Sequence, residues 1–449
     1  MPHALRNTLL SFRDLVITAG PFVLIAMVLL GVAYAVLDPT PPRRVVLATG
    51  VEQGAYAEFG RRYAALLRAH GITVELRNTE GAAQNLQLLR DNHSGVDIAF
   101  VQGGADAERP GEPVEAEDDL VSLGSLFYEP VWLFYREDSA RRLTQSPTIT
   151  SLSQLQGWKV NIGPAGSGVP NLMARLIEAN RIEPSALTLL HQPQTPAVVD
   201  FLEGRTDALV FASAPESVMV QMLLQTPGIR LFDVAQADAY SRRFPFLTAV
   251  TLPRGVVDLA GDVPSSDVRL IAPTAMLVAR EGTHPALIQL FMQAARSVHG
   301  GAGWFQHKGD FPTPRGAERP LAAEAERFYR NGPPFLQNYL PFWLANLIDR
   351  MWVVLVSIVA ILIPLSRVVP PLYEFRIRSR VFRWYGQLRA LENAAGHRPA
   401  AELRRALDDI ETRVENVSIP LSHADELYAL RSHIDMVRRK LAGGTGGQA

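Results

Sequence analysis

The chain has 449 residues, enough for two or three domains with cores of their own, and 47% of them are hydrophobic, which is high for a wholly soluble protein. The formal net charge of −1 carries no electrostatic footprint for nucleic acid. There is no cysteine, which excludes disulfides, thiol nucleophiles and cysteine-based metal sites, and the ten histidines fall in no ligand spacing such as H-E-x-x-H. The expectation is therefore no metal and no cofactor.

In chain order, residues 1–14 carry Arg6 and Arg13, and residues 15–37 carry no charge. That stretch is long enough to span a bilayer and has a poor cleavage site after it, so it reads as an uncleaved transmembrane helix. Asp38-Pro39-Thr40-Pro41-Pro42 then forms a stiff linker.

Residues 45–60, VVLATGVEQGAYAEFG, read as strand, glycine turn and helix. Glycine lets backbone approach a ligand closely, and the helix start offers unpaired N–H groups to a carboxylate or phosphate. The pattern recurs at residues 159–176, KVNIGPAGSGVPNLMARL. Downstream of each copy come a helix, a glycine, an aspartate and an apolar strand, in residues 85–102 and again in 197–213. Asp97 and Asp207 are expected to satisfy backbone N–H groups ahead of their strands. Two βαβ halves of this kind imply two α/β lobes with parallel strands and a cleft beyond the strands' carboxyl ends. Residues 108–119 are acidic and read as a surface loop. The aromatic stretch 122–137 reads as a strand crossing between lobes, bent at Pro130. Lobe I spans about 43–130 and 235–330, with a strand at 275–280, and lobe II about 138–231.

Beyond 333 the composition changes. Residues 335–348 are aromatic-rich and suit an interfacial helix. Residues 351–369 read as a second span, with Trp343 and Trp352 in the headgroup belt. Arg367, Arg376, Arg378, Arg380, Arg383 and Arg389 follow it against the single acid Glu374. By the positive-inside rule both ends are cytoplasmic and 43–333 is periplasmic, although Arg43 and Arg44 sit on the opposite side. Residues 370–449 read as a cytoplasmic helical tail broken near Ser418-Ile419-Pro420-Leu421, with a last helix opening at Ser422 or His423 and a GGTGGQA end. Its apolar stripes must bury against each other, a second copy or a partner.

The segments TG-x-x-x-G-A-Y (49–56), TEGAAQNL (79–86), DIAFVQ (97–102), GPAGSG (163–168) and TDALVFASAPES (206–217) resemble the TAXI family, the extracytoplasmic solute-binding subunits of a class of TRAP transporters. The resemblance covers about 45–320. It implies a type II periplasmic-binding-protein fold, two α/β lobes closing on a small anionic solute such as glutamate or a related carboxylate, here flanked by two transmembrane helices and the helical tail. This chain departs from the pattern with Gln53-Gly54 in place of Gly-Gly and Gly81-Ala82 in place of Gly-Ser. Carried over position by position, the expected ligand contacts are Gly54, Ala55 and Tyr56, then Thr79, Gln84 and Asn85, then Gln102. From lobe II come Ser167, Gly168 and Val169, with Ser213 and Pro215. Tyr128 lines the hinge side. No arginine lies in these motifs, so helix N-termini and hydroxyls are expected to hold the anion.

The function expected is a bacterial inner-membrane-anchored receptor that feeds TRAP transporter membrane subunits or signals to a cytoplasmic partner through the tail. The alternative is a ligand-free structural or signalling protein on the same fold. An enzyme finds no support, since no Ser–His–Asp order or metal cluster is present.

Overall fold

The computed structural model describes residues 3–37, 40–106, 119–215, 217–394, 397–415 and 424–443. The linker residues Asp38 and Pro39, the acidic loop up to residue 118, the break at 418–421, Ser422 and His423, and the end beyond Gly443 lie outside them. The chain divides into two compact units, Thr40–Asn346 and a second made of Met1–Pro39 with Leu347–Ala449.

The unit Thr40–Asn346 contains two sheets. In the first, β1 (Arg44–Ala48) pairs in parallel with β2 (Thr73–Arg77) and β3 (Ile98–Gln102). All of β3, IAFVQ, is buried, as a central strand covered on both faces must be. β4 (Leu120–Tyr128) and β10 (Leu247–Leu252) enter through the long strand β11 (Val268–Arg280), which is antiparallel to β3, β4 and β10. The second sheet has the order β7 (Thr188–Leu190), β6 (Lys159–Asn161), β8 (Ala208–Ala212), β5 (Val131–Arg136), β9 (Ile229–Leu231). There β6 is parallel to β7 and β8, while β5 is antiparallel to β8 and β9. The parallel pairing expected through 45–105 is found in β1, β2 and β3, and each sheet as a whole is mixed. Each βαβ half stays parallel, and the strands that cross between halves add the antiparallel pairs.

The crossing falls at Glu129-Pro130, between β4 in one sheet and β5 in the other. Proline cannot donate to a ladder, so the chain changes sheets where a ladder bond is already missing. β11 is the return route, pairing with β3 and β4 through its second half and with β10 through its first.

The repeat in the sequence is a repeat in the backbone. Asp97 Oδ2 accepts from Val46 N–H at 2.8 Å, and Asp207 Oδ2 accepts from Lys159 N–H at 2.9 Å. Each aspartate stitches the last strand of its half to the first. Separate apolar cores form around the two halves, one on Leu47, Tyr63, Phe100 and Phe291, the other on Trp158, Leu172, Val160 and Val210.

In the other unit, the helix His3–Leu37 contains an apolar window at Ala19–Leu37. The helix Phe342–Asn393 contains a second at Leu344–Leu365. Both are long and apolar enough to cross a membrane by length and composition, and only 0% and 6% of their windows are buried, unlike the core helix of a soluble domain. The separate interfacial helix expected at 335–348 is instead a 3₁₀ turn at Phe335–Asn338 followed by the long helix itself. Adjacent Asp349 and Arg350 do not interrupt it. In the tail, Val381, Leu388 and Leu391 of this helix bury against Leu403, Leu407, Ile410 and Val414 of the helix Ala400–Glu415 and Leu430, Ile434 and Val437 of the helix Ala424–Gly443. These apolar stripes therefore bury one another, with Arg438 bonded to Asp408 at 2.9 Å at the rim.

Candidate functional site

A cavity of about 120 Å³ is lined from both halves of the unit Thr40–Asn346. One wall is the first glycine turn, with Gly50, Gly54, Ala55 and Tyr56 at the start of the helix Ala55–Arg68. The facing wall is the second, with Gly163, Ser167, Gly168 and Val169 at the start of the helix Val169–Ala179. Both helices point their unpaired first-turn N–H groups toward this region. Gly81, at φ +142°, holds a backbone shape that side chains rarely adopt and opens the third approach. Gly168 is required for a different reason: a Cβ there would overlap Gln102 Oε1.

The halves are bonded to each other beside the cavity. Glu80 Oε2 accepts from Gly166 N–H at 2.9 Å, and Gln84 N–H donates to Gly166 O at 3.0 Å. Asn171 Nδ2 donates to Ala105 O at 3.1 Å, and Arg175 donates to Asp106 O at 2.6 Å.

Two polar groups stand out in the lining. Gln102 is 3% exposed, and its Nε2 has no hydrogen-bond partner among the described residues. A buried donor left unpaired costs free energy, so it marks a place where an acceptor is missing. Glu129 is also 3% exposed, and its Oε2 accepts from the Tyr56 hydroxyl at 2.7 Å. Burial pushes the Glu129 carboxyl up to about 8, against the opposing effect of the Tyr56 bond. Burial also raises the Tyr56 phenol well above its ordinary range, so Tyr56 stays a donor. Tyr56 is held by stacking on Phe100, with ring centroids 5.0 Å apart.

Of the expected contacts, Gly54, Ala55, Tyr56, Gln102, Ser167, Gly168, Val169 and Ser213 line the cavity, and Thr79, Gln84, Asn85, Tyr128 and Pro215 do not. Asn85 is fully buried beneath the turn. Its Nδ2 donates to Thr49 O and to Phe100 O, the latter at 2.8 Å. The Thr79 hydroxyl lies 2.7 Å from Asn85 Oδ1, so these two residues brace the first glycine turn from behind. Gln84 Oε1 accepts from Glu80 N–H at 2.7 Å. Tyr128 packs edge-on against Phe311 at 5.0 Å, away from the cavity. Pro215 O accepts from Gln221. The Ser167 hydroxyl lines the cavity but donates to Pro164 O at 2.8 Å, so its hydrogen is already used. Sequence reasoning missed Glu80, Glu129, Asn161 and Gln194. The available signal for Glu129 was a lone acid inside the apolar run SLFYEPVWLF.

Among solved structures, the chain resembles the alkanesulfonate-binding protein SsuA from Xanthomonas axonopodis pv. citri bound to MOPS, at 14% identity over 57% of this chain and 73% of that one, with a TM-score of 0.37. It resembles MatC from Rhodopseudomonas palustris with bound malate at 17% identity, over 69% of this chain and 96% of that one, with a TM-score of 0.38. No curated protein matches. Residues 47–330 match the model of the NMT1-like family, well over half of the chain, and the chain belongs to that family.

Proposed function

We propose that this protein is a membrane-anchored extracytoplasmic solute receptor. Its two α/β halves act as the lobes of a type II periplasmic-binding-protein fold, and the cavity between the glycine turns is the closed ligand cleft. The solute is a small anion, a carboxylate or an amino acid such as glutamate. The observation that carries this reading is the buried, unpartnered Gln102 Nε2 in a cavity lined from both halves. Together with the first-turn amides beyond Gly168, it offers donors to an acceptor-rich group.

Within this reading, the resemblance to TAXI subunits points to TRAP-type transport, and the two apolar helices anchor the receptor in the bacterial inner membrane. The arginines after the second apolar helix support a cytoplasmic tail that serves a partner. A reporter active only in the periplasm, fused after Gly443, is expected to be silent; an active one removes this topology.

Calorimetric titration of the full chain in detergent against glutamate, succinate, malate and lactate tests the receptor reading. Saturable binding of at least one, lost in Gln102→Ala, is the expected result. A second reading, a ligand-free structural protein, is favoured by one contact: Glu80 already occupies the Gly166 N–H across the halves. Silence across the panel, with a cooperative melt, would establish that second reading.

A further inference from the structure

A pocket for an anion is expected to contain a cation, and this one contains none among the described lining residues. Its acidic side chains are Glu80 and Glu129, and it holds no lysine, arginine or histidine. Two ionised carboxylates facing an anionic solute in a desolvated space would repel it. Glu80 is partly accounted for, since its Oε2 takes the Gly166 N–H. Glu129 is not. It sits in the cavity wall at the crossing between β4 and β5, and among the described residues only the Tyr56 hydroxyl bonds its carboxyl.

Resting on the receptor reading, we propose that Glu129 serves this site as a neutral carboxylic acid whose hydroxyl donates a hydrogen bond to the solute's carboxylate. Tyr56 makes this geometry specific. With the Tyr56 hydroxyl donating to Oε2, the arrangement that serves the solute carries the carboxyl proton on Oε1. Glu129 thereby becomes a donor, and with Gln102 Nε2 it forms a pair of neutral donors where a binding protein with an arginine would use charge. A carboxylic acid kept protonated near neutrality by an apolar site is an established way to build such a donor.

The surroundings of Glu129 support the neutral form. Burial is the main cause of its raised affinity for the proton. From the helix Ala55–Arg68 it meets Tyr56, itself a neutral donor. From the turn before the helix Ala82–Arg90 the group facing the cavity is Glu80, a like charge. From β11 it meets backbone, its N–H donating to Pro273 O at 2.9 Å, beside the uncharged Thr274. Further back, His299 stacks on Phe127 with centroids 5.1 Å apart, and burial lowers it to about 3, so it brings no positive charge. Asp310 and Arg315 act on the neighbouring Tyr128.

Two measurements on the full chain in detergent test the proposal. The first is infrared difference spectroscopy between the protein and Glu129→Gln, which needs no ligand. A protonated-carboxyl carbonyl band at neutral pH, missing from the variant and fading above about pH 8, is expected. Absence of that band at neutral pH overturns the proposal. The second is titration with glutamate, succinate and lactate. Because only the protonated fraction binds, affinity is expected to fall about tenfold between about pH 7 and about pH 9, while Glu129→Gln, whose amide still donates, stays level. An unchanged or rising affinity of the parent over this range overturns the proposal and leaves the receptor reading standing. Binding of lysine or choline that strengthens with pH also overturns it, by making Glu129 an ionised acceptor. If none of the acids binds the parent at any pH, the receptor reading and this proposal fail together, even with the infrared band present.

Discussion

The two halves of the unit Thr40–Asn346 share one plan and use it differently. Both run strand, glycine turn, helix, and both tie first to last strand through an aspartate, Asp97 or Asp207. The first half braces its turn with a buried polar cluster of Thr49, Thr79 and Asn85, and brings the titratable groups Tyr56, Glu80 and, at its edge, Glu129 to the cavity. The second half brings neutral groups and backbone: Gly163, Ser167, Gly168, Val169 and Ser213. One half thus decides the charge and protonation of the site, and the other decides its shape. A repeat in sequence preserves the scaffold while the side chains that face the cavity diverge.

Substitutions can break this division. The largest expected effect is on the brace. Asn85→Ala takes one of two donors from Thr49 O, which keeps the Thr79 hydroxyl, at about 1 kcal/mol, and removes the amide donor from the buried Phe100 O at about 1–3 kcal/mol, so a loss of roughly 2–4 kcal/mol is expected by chemical denaturation. A loss under about 0.5 kcal/mol would show that the turn needs no brace. Next comes the shape-determining half. Gly168→Ala drives a methyl into Gln102 Oε1 and displaces that amide. The loss of a bond to a charged group predicts a ten- to hundredfold weaker titration, about 1.5–3 kcal/mol, with the melting temperature little changed. If affinity holds, Gln102 is not a ligand donor.

The charge-determining half should be recognisable by pH. Glu129 in the fold binds its proton up to about 8, whereas an unfolded glutamate releases it near about 4.3. Between these values the folded state holds more protons, so its stability falls as pH rises. The melting temperature of Glu129→Gln relative to the parent is therefore expected to rise by a few degrees from about pH 5 to about pH 8. A constant difference would place Glu129 in an ordinary polar environment. The smallest effect is expected at Ser167→Ala. Its hydroxyl hydrogen is committed to Pro164 O, so affinity should change by about threefold or less. A much larger loss would mean that the second half also supplies a side-chain donor, and the division would fail.

The tail teaches a related lesson. Its apolar stripes read from sequence as surfaces that must bury against each other, a second copy or a partner, and in the structure they bury each other through Leu388, Leu407 and Ile434. Exposed Phe375, Phe382 and Tyr428 remain outside that cluster.

The sequence by itself determined what depends on local backbone chemistry. Glycines at Gly54 and Gly168, the strand-to-helix turns they form, the aspartates ahead of the strands, and the two apolar helices were all legible, because each follows from spacing or hydropathy. Which side chains meet at the cavity was decided only by the tertiary structure. Thr79 and Asn85 carry polar groups suited to a ligand, and the fold spends them on Thr49 O and Phe100 O. Tyr128 and Glu129 are the sharpest case. Successive residues of an extended chain point to opposite faces, so only one of the two can line the cavity. The pairing of β4 with β11, and the change of sheet at Pro130, turned Tyr128 toward Phe311 and Glu129 inward to Tyr56.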